Sequence, residues 1–469
     1  MTVPDWVQDA IFYQIFPDRF AKGDPGIDPP NVNPWDAPPT AKGFWGGDLI
    51  GIRDHLDYLI DLGINAIYLN PIFLASSNHR YNTTDYFKID PKLGDLCSFH
   101  ALMEFAHKKG IRIVLDGVFN HCGRGFFPFT DILENQNDSP YKDWFHVNSF
   151  PVEAYPRGKS TSFEAWWGYP SLPKFNTSSP RVRDYLLSVA KYWIEQGADG
   201  WRLDVPNEIN DDSFWAQFRQ VVRGANPEAY LVGEIWDGNP HWVGDGHFDG
   251  LMHYPQREAI LALVNKQIDA GSFRDRLHNN LHKYPRENAY AMYTLLGSHD
   301  TERILTLFHG DTVKLKLALL LQFALPGAPA IYYGDEIGLT GGKDPECRKT
   351  FPWAESQWNH DIRDWTRILC RSRRDSPALR RGDVRFIDGD VGKCLVFLRE
   401  QKDEIILVIC NPEESSQEIA FELNEKVNQS EEIEKIISLG DWSIDYSSSI
   451  HVKINGRSAG MARIQPVQP

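Results

Sequence analysis

The chain has 469 residues and a formal net charge of −15. That length suits one large domain plus a smaller one, and the negative balance excludes the basic face that a nucleic-acid partner requires. No stretch approaches the ~20 apolar residues of a membrane span, because the longest apolar run, 315–330, is interrupted by Lys316, Gln322 and Pro326.

The start, Met1-Thr2-Val3-Pro4, lacks the basic residues and apolar core of a secretory signal. Cys97, Cys122, Cys347, Cys370, Cys394 and Cys410 are scattered, with no C-x-x-C pair. Free thiols in a reducing cytoplasm are therefore expected, without a disulfide frame or a zinc site.

Along the chain, short β-branched or aromatic runs alternate with helical patterns. Residues 11–16, 66–70, 111–116, 200–205, 230–235, 250–253, 291–296 and 330–333 read as buried strands. Helical periodicity covers 53–62, 99–109, 181–196, 213–223, 312–325 and 360–373, with Gly63, Gly110 and Gly197 placed as C-terminal caps. This rhythm predicts an α/β fold, a (β/α)8 TIM barrel. A doubly wound sheet is the alternative, ranked lower because no Gly-rich phosphate turn follows the first strand. Residues 122–176 are irregular and too long for a plain loop, so they are expected to form an inserted domain. The barrel is then assigned to 1–121 and 177–383. From 384 to 469 a C-terminal antiparallel β-sandwich is expected, with strands at 394–399, 405–410 and 418–423. The polar stretch 424–449 is expected to be a long loop.

In such a barrel, reactive groups sit at the C-terminal ends of strands. Those ends carry Asp116, Asn120 and His121, then Arg202 and Asp204, then Glu234 and Trp236, and then His299 and Asp300. Any one of these acids could be a helix cap or a salt-bridge partner. Several converging on one mouth would repel one another and lose solvation, which a purely structural role does not explain. Glycoside hydrolysis does need two carboxyls flanking the bond.

These runs resemble, in order, the signature regions of the α-amylase family of glycoside hydrolases. The resemblance implies that Asp204 is the nucleophile, Glu234 the general acid/base and Asp300 the stabiliser of the transition state. It further implies that Arg202 pairs with the nucleophile, that His121 and His299 bind hydroxyls, and that Asp116 supports the site. Leu172-Pro-Lys-Phe-Asn176 resembles a motif of the neopullulanase, cyclomaltodextrinase and maltogenic-amylase subgroup. So does Ser77-Asn-His79-Arg-Tyr81, where Tyr81 would stack under the reacting glucose. Val205-Pro-Asn-Glu208 departs from the subgroup by Pro206. Asp344 and Arg348 resemble a pair that holds the non-reducing end, and Trp236 a stacking residue on the leaving-group side. Trp166 and Trp167 stay unassigned.

The resemblance implies a retaining hydrolase acting by double displacement on an α-glucan oligosaccharide, with α-1,4 and α-1,6 specificity left open. A glucosyltransferase or isomerase using the same acids is the alternative, and an inactive scaffold a more remote one. The subgroup usually carries a β-sandwich before the barrel. Here the first strand begins at about Ile11, as in relatives lacking that domain, such as cyanobacterial debranching-type enzymes. A monomer, or a homodimer built on other surfaces, is therefore expected. Relatives often bind calcium after the first strand. Here Lys22 and Ile27 replace two oxygen ligands and leave Asp24, Asp28 and Asp48. Lys22 is expected among the three carboxylates, with no metal and no cofactor.

Overall fold

Eight short runs rich in β-branched and aromatic residues form one parallel sheet in the computed structural model, which describes residues 3–387, 391–422, 433–446 and 449–464. The strands are β1 (Phe12–Ile15), β2 (Ala66–Leu69), β3 (Arg112–Gly117), β4 (Gly200–Leu203), β5 (Tyr230–Gly233), β6 (Gly250–Leu251), β7 (Tyr293–Leu295) and β8 (Ala328–Tyr332). Their order is β6-β5-β4-β3-β2-β1-β8-β7. A parallel bridge from Met252 to Tyr293 joins the two ends, with His253 N–H donating to the Tyr293 carbonyl at 2.8 Å. The sheet is thus a closed barrel, as expected from the strand–helix rhythm.

Side chains alternate across each strand. Phe12, Ala66, Tyr68, Val114, Tyr230, Val232, Tyr293 and Ala330 pack inside the barrel. Tyr13, Ile15, Ile67, Leu69, Ile113, Leu115, Trp201 and Leu231 pack outward under the helices. Continuing the inward row by two residues leads from Phe12 to Gln14, from Val114 to Asp116, from Gly200 to Arg202 and Asp204, and from Val232 to Glu234. The period of two therefore delivers polar groups to one mouth of an otherwise apolar interior. Gly63, Gly110 and Gly197 take positive φ just past their helices, as caps do.

The expected helix over 53–62 is divided. Asp48 accepts from Gly51 N–H and starts a helix at Leu49–Asp54, and a second helix runs Leu56–Leu62. His55 between them leaves helical geometry (φ −107°, ψ 11°). The segment 122–176 carries a helix, Phe127–Asn135, and isolated antiparallel bridges such as Phe145 to Phe175 and Val147 to Phe163. A short hairpin, Phe73–Ala75 with Thr83–Ile89, stands beside it after β2.

The C-terminal part pairs antiparallel strands in two sheets. One has the order β9-β10-β11-β16-β13, with β9 Asp383–Phe386, β10 Leu395–Gln401, β11 Glu404–Asn411, β13 Ile433–Leu439 and β16 Ser458–Ile464. The other is β12 Gln417–Phe421, β15 Ile450–Ile454 and β14 Trp442–Tyr446. Leu398, Leu407, Ile409, Phe421, Val452 and Ile454 fill the space between them. Strands β13 and β14 overturn the long loop expected over 424–449. Ile437 and Trp442 supply buried apolar positions, while Glu434 and Lys435 before them are exposed. The rest of that stretch, 424–432 and 447–448, lies outside the described residues. Among the described residues, no helix is long and apolar enough to cross a membrane.

Candidate active site

Arg202, 1 % exposed on β4, organises the mouth. Its Nη1 donates to Asp204 Oδ1 at 3.0 Å and to Asp116 Oδ1 at 2.9 Å. Its Nη2 lies 2.8 Å from Glu234 Oε2. That last contact is ionic, because no N–H of Nη2 is aimed at an acceptor. Asp116 is held from its other side by Tyr68 Oη at 2.5 Å and Tyr81 Oη at 2.7 Å. Asp116 therefore bonds both Arg202 and Tyr81, as a group supporting the site would.

Glu234 accepts from Val205 N–H at 3.2 Å and from the indole of Trp236 at 3.2 Å. Val205 holds φ at 36°, a strained conformation for a β-branched residue. Strain of this kind collects at functional sites, and here it aims the amide at Glu234. Trp236 is half exposed and stacks on Tyr254, with ring centroids 3.8 Å apart.

His299 joins the two sides of the mouth. Gln14 Nε2 donates to Asn70 Oδ1 at 3.0 Å and faces His299 Nδ1 at 2.8 Å. Nδ1 is then the acceptor, which assigns the ring proton to Nε2. Nε2 lies 2.6 Å from Tyr81 Oη and 3.0 Å from Asp300 Oδ2. The Tyr81 and His299 rings are nearly parallel, at 7° with centroids 5.4 Å apart. Arg348 donates from Nε to the His299 carbonyl at 2.9 Å, contacts Asp300 at 3.3 Å and pairs with Asp344 at 3.2 Å. The Asp344–Arg348 pair is therefore tied to Asp300 and is not an isolated loop bridge.

Burial raises both Asp204 and Glu234; Arg202 opposes this in each case. One guanidinium faces the three carboxyls of Asp116, Asp204 and Glu234, so the negative charge of each makes the others harder to ionise. Asp204 receives the directed hydrogen bond from Arg202 and Glu234 does not. Burial also pushes Asp300 up, but His299 and Arg348 outweigh it and hold its carboxyl well below the usual range. Burial lowers His121 and His79 to about 3, so both rings are neutral at pH 7.

Several buried polar atoms at the mouth lack a partner, among them His121 Nε2, Asn120 Oδ1, Gln14 Oε1 and Tyr254 Oη. Such atoms are costly unless something else bonds to them; hydroxyl-rich ligands can. His121 stacks against Trp166 at 5.4 Å, and Lys174 of the 172–176 motif reaches Glu208 at 4.0 Å. The structure thus gathers the sequence-predicted Asp116, His121, Arg202, Asp204, Glu234, Trp236, His299 and Asp300 with Tyr81, Asp344 and Arg348. Sequence reasoning missed Gln14, Asn70 and Tyr68. The available signal was a lone glutamine inside an apolar strand.

The loop expected to replace calcium differs in detail. Lys22 Nζ pairs with Asp28 at 2.8 Å, not with all three carboxylates. Asp48 is occupied by the N–H groups of Gly23, Asp24 and Gly51, and Asp24 by that of Gly26. Oxygens already engaged by N–H donors and an ammonium do not fit a calcium ion, which needs six to eight free ones. Among the described residues, one group could hold a metal: Asp212, His241 and His247.

Residues 14–381 match the family described as Alpha-amylase, alpha amylase catalytic domain. A cyclomaltodextrinase of Geobacillus thermopakistaniensis is 48 % identical over 426 residues, covering 90 % of this chain and 72 % of the relative. Neopullulanase 2 of Thermoactinomyces vulgaris is 43 % identical over 428 residues, 90 % of this chain and 73 % of that one. Among solved structures, cyclic α-maltosyl-(1→6)-maltose hydrolase of Arthrobacter globiformis superposes with a TM-score of 0.89 at 41 % identity, covering 99 % of this chain and 100 % of that chain. The debranching enzyme of Nostoc punctiforme gives 0.88 at 38 %, covering 98 % and 99 %. With a catalytic-domain match across most of its length and the acids of that chemistry at its barrel mouth, the chain belongs to the α-amylase family of glycoside hydrolases.

Proposed function

We propose that this protein hydrolyses α-glucosidic bonds of short maltodextrins, linear and cyclic, with retention of configuration. The observation that carries the reading is the unequal treatment of two acids by Arg202. Asp204 accepts a directed hydrogen bond from the guanidinium, while Glu234 lies within its reach but accepts no aimed N–H from it. In the first step Asp204 attacks the anomeric carbon, and Glu234 gives its proton to the departing oxygen. In the second, Glu234 as a carboxylate takes a proton from water, whose oxygen displaces Asp204. Asp300, kept ionised by His299 and Arg348, accepts hydrogen bonds from ring hydroxyls as charge develops. His121, as a neutral ring, and His299 bind hydroxyls, and Asp344 with Arg348 holds the non-reducing end. Trp236 and Tyr254 form an aromatic face beside Glu234 for the leaving sugar.

The substrate class is supported by the relatives, whose names include cyclomaltodextrinase, neopullulanase and maltogenic amylase. The unpaired state of all six cysteines supports a cytoplasmic location. The test is time-resolved product analysis on pullulan, β-cyclodextrin and maltoheptaose in parallel. Maltose and glucose from the last two, with panose-type trisaccharide from pullulan, are expected. Accumulation of transfer products without net hydrolysis would instead favour a glucosyltransferase.

A further inference from the structure

Outside the carboxylate cluster, the loop that leaves Glu234 carries two histidines towards the start of the preceding helix. His241 Nε2 lies 2.9 Å and His247 Nε2 3.1 Å from the same oxygen, Oδ1 of Asp212. Asp212 is the first residue of the helix Asp212–Ala225. The capping carboxylate there is that of Asp211, which accepts from Phe214 N–H. Asp212 is therefore not needed to close the helix, and its carboxylate turns to the two rings.

We propose that Asp212, His241 and His247 form a binding site for a divalent transition metal of the zinc type. The donor set is two imidazoles and one carboxylate, which suits borderline metals and not calcium. Tetrahedral zinc with bonds of about 2.0–2.2 Å places its ligands roughly 3.3 Å apart. The three ligand atoms all lie within 4.8 Å of one another, and both measured His–Asp separations fall a few tenths of an ångström short of that geometry. An exposed aspartate side chain can open by that amount. A neutral imidazole can carry its hydrogen on Nδ1 and offer Nε2 to a metal. The fourth position faces solvent, since Asp212 and His241 are exposed.

The rings are held in place by the backbone around them. Asn239 caps the His241 N–H at 3.0 Å. Gly244 N–H bonds the Phe248 carbonyl, His247 N–H the Gly244 carbonyl and Phe248 N–H the Trp242 carbonyl, all within 3.2 Å. Trp242 packs edge-on against both imidazoles. Such preorganisation lowers the ordering cost of binding an ion. A metal here would pin the far end of the loop that begins with Glu234 and Trp236 to the helix that follows β4.

The test uses the full chain with Cys97→Ser, which removes the exposed thiol as a competing ligand. After chelation and dialysis, Zn2+ alone is titrated against a chromophoric competitor, and melting temperature is read with and without it. One zinc per chain and a higher melting temperature are expected. His241→Ala, His247→Gln and Asp212→Asn should each weaken binding by about tenfold or more, while the metal-free variants melt close to the parent. No uptake by the parent at micromolar zinc would overturn the proposal. Undiminished binding in all three variants would overturn it too, by placing the ion elsewhere.

Discussion

Glu336 shows how one buried carboxyl can shape the response of the fold to pH. It sits just past β8, fully buried, and accepts from Tyr13 Oη at 2.8 Å, Tyr58 Oη at 2.7 Å and Gly334 N–H at 2.8 Å. Burial pushes it up from 4.5 to about 7 despite those donors. A carboxyl raised in the folded state contributes stability that is complete below its unfolded value and is lost as pH rises through its folded one. The window is therefore 4.5 to about 7, and the loss is on the order of 3 kcal/mol. The melting temperature of the wild type should fall across that window relative to Glu336→Gln, which cannot titrate. Parallel pH profiles for the two proteins would contradict the assignment. At this scale the acids of the mouth were legible because chemistry demands particular residue types at strand ends. Gln14 was harder to read. Its partner His299 lies far along the chain, and only barrel closure makes them neighbours. His241 and His247 were hidden for the same reason, since Asp212 completes the cluster from a different segment.

Among elements, the segment between β3 and β4 departs most from regular structure. Trp167 adopts φ 49° within it and is 66 % exposed. It stacks on Trp166 with centroids 4.7 Å apart at 11°, and Trp166 stacks on His121. The result is an aromatic ladder leading from His121 to solvent. A strained, exposed indole is expensive to keep as mere packing. Trp167→Ala should raise KM for maltoheptaose by roughly 2- to 10-fold, the worth of one aromatic contact, and leave kcat and melting temperature nearly unchanged. A fall in melting temperature with KM unaltered would make the ladder structural. Regular elements were easier to infer than this one. Helices such as His360–Asp375 show their apolar stripe in sequence. Strands β13 and β14 did not stand out, because exposed edge positions dilute their few buried residues with Ser, Glu and Lys.

For the whole molecule, strand–helix alternation and the missing Gly-rich phosphate turn together pointed to the parallel barrel, whereas the contacts at the loops did not show in the sequence. The loop after β1 illustrates this: its three acids survive in sequence, yet backbone N–H groups and Lys22 occupy them. Calcium added to chelated protein should leave the melting temperature within about 1 °C. An ion bound at a hundredfold over its Kd would add about 2.7 kcal/mol and a shift of several degrees. A calcium-dependent rise of that size would refute the lysine substitution.

The central claim is the division of labour between Asp204 and Glu234, and azide tests it most directly. With an activated α-maltosyl fluoride donor, Glu234→Ala still forms the β-linked enzyme intermediate, because fluoride needs little acid help to leave. Azide should then attack that intermediate and release an α-maltosyl azide, with configuration retained. In Asp204→Ala, azide should occupy the space of the lost carboxylate and attack the donor once, giving the β-azide. NMR of the two products reads the anomers. The α-azide is expected from the Glu234 variant and the β-azide from the Asp204 variant; the reverse pair would exchange the two roles.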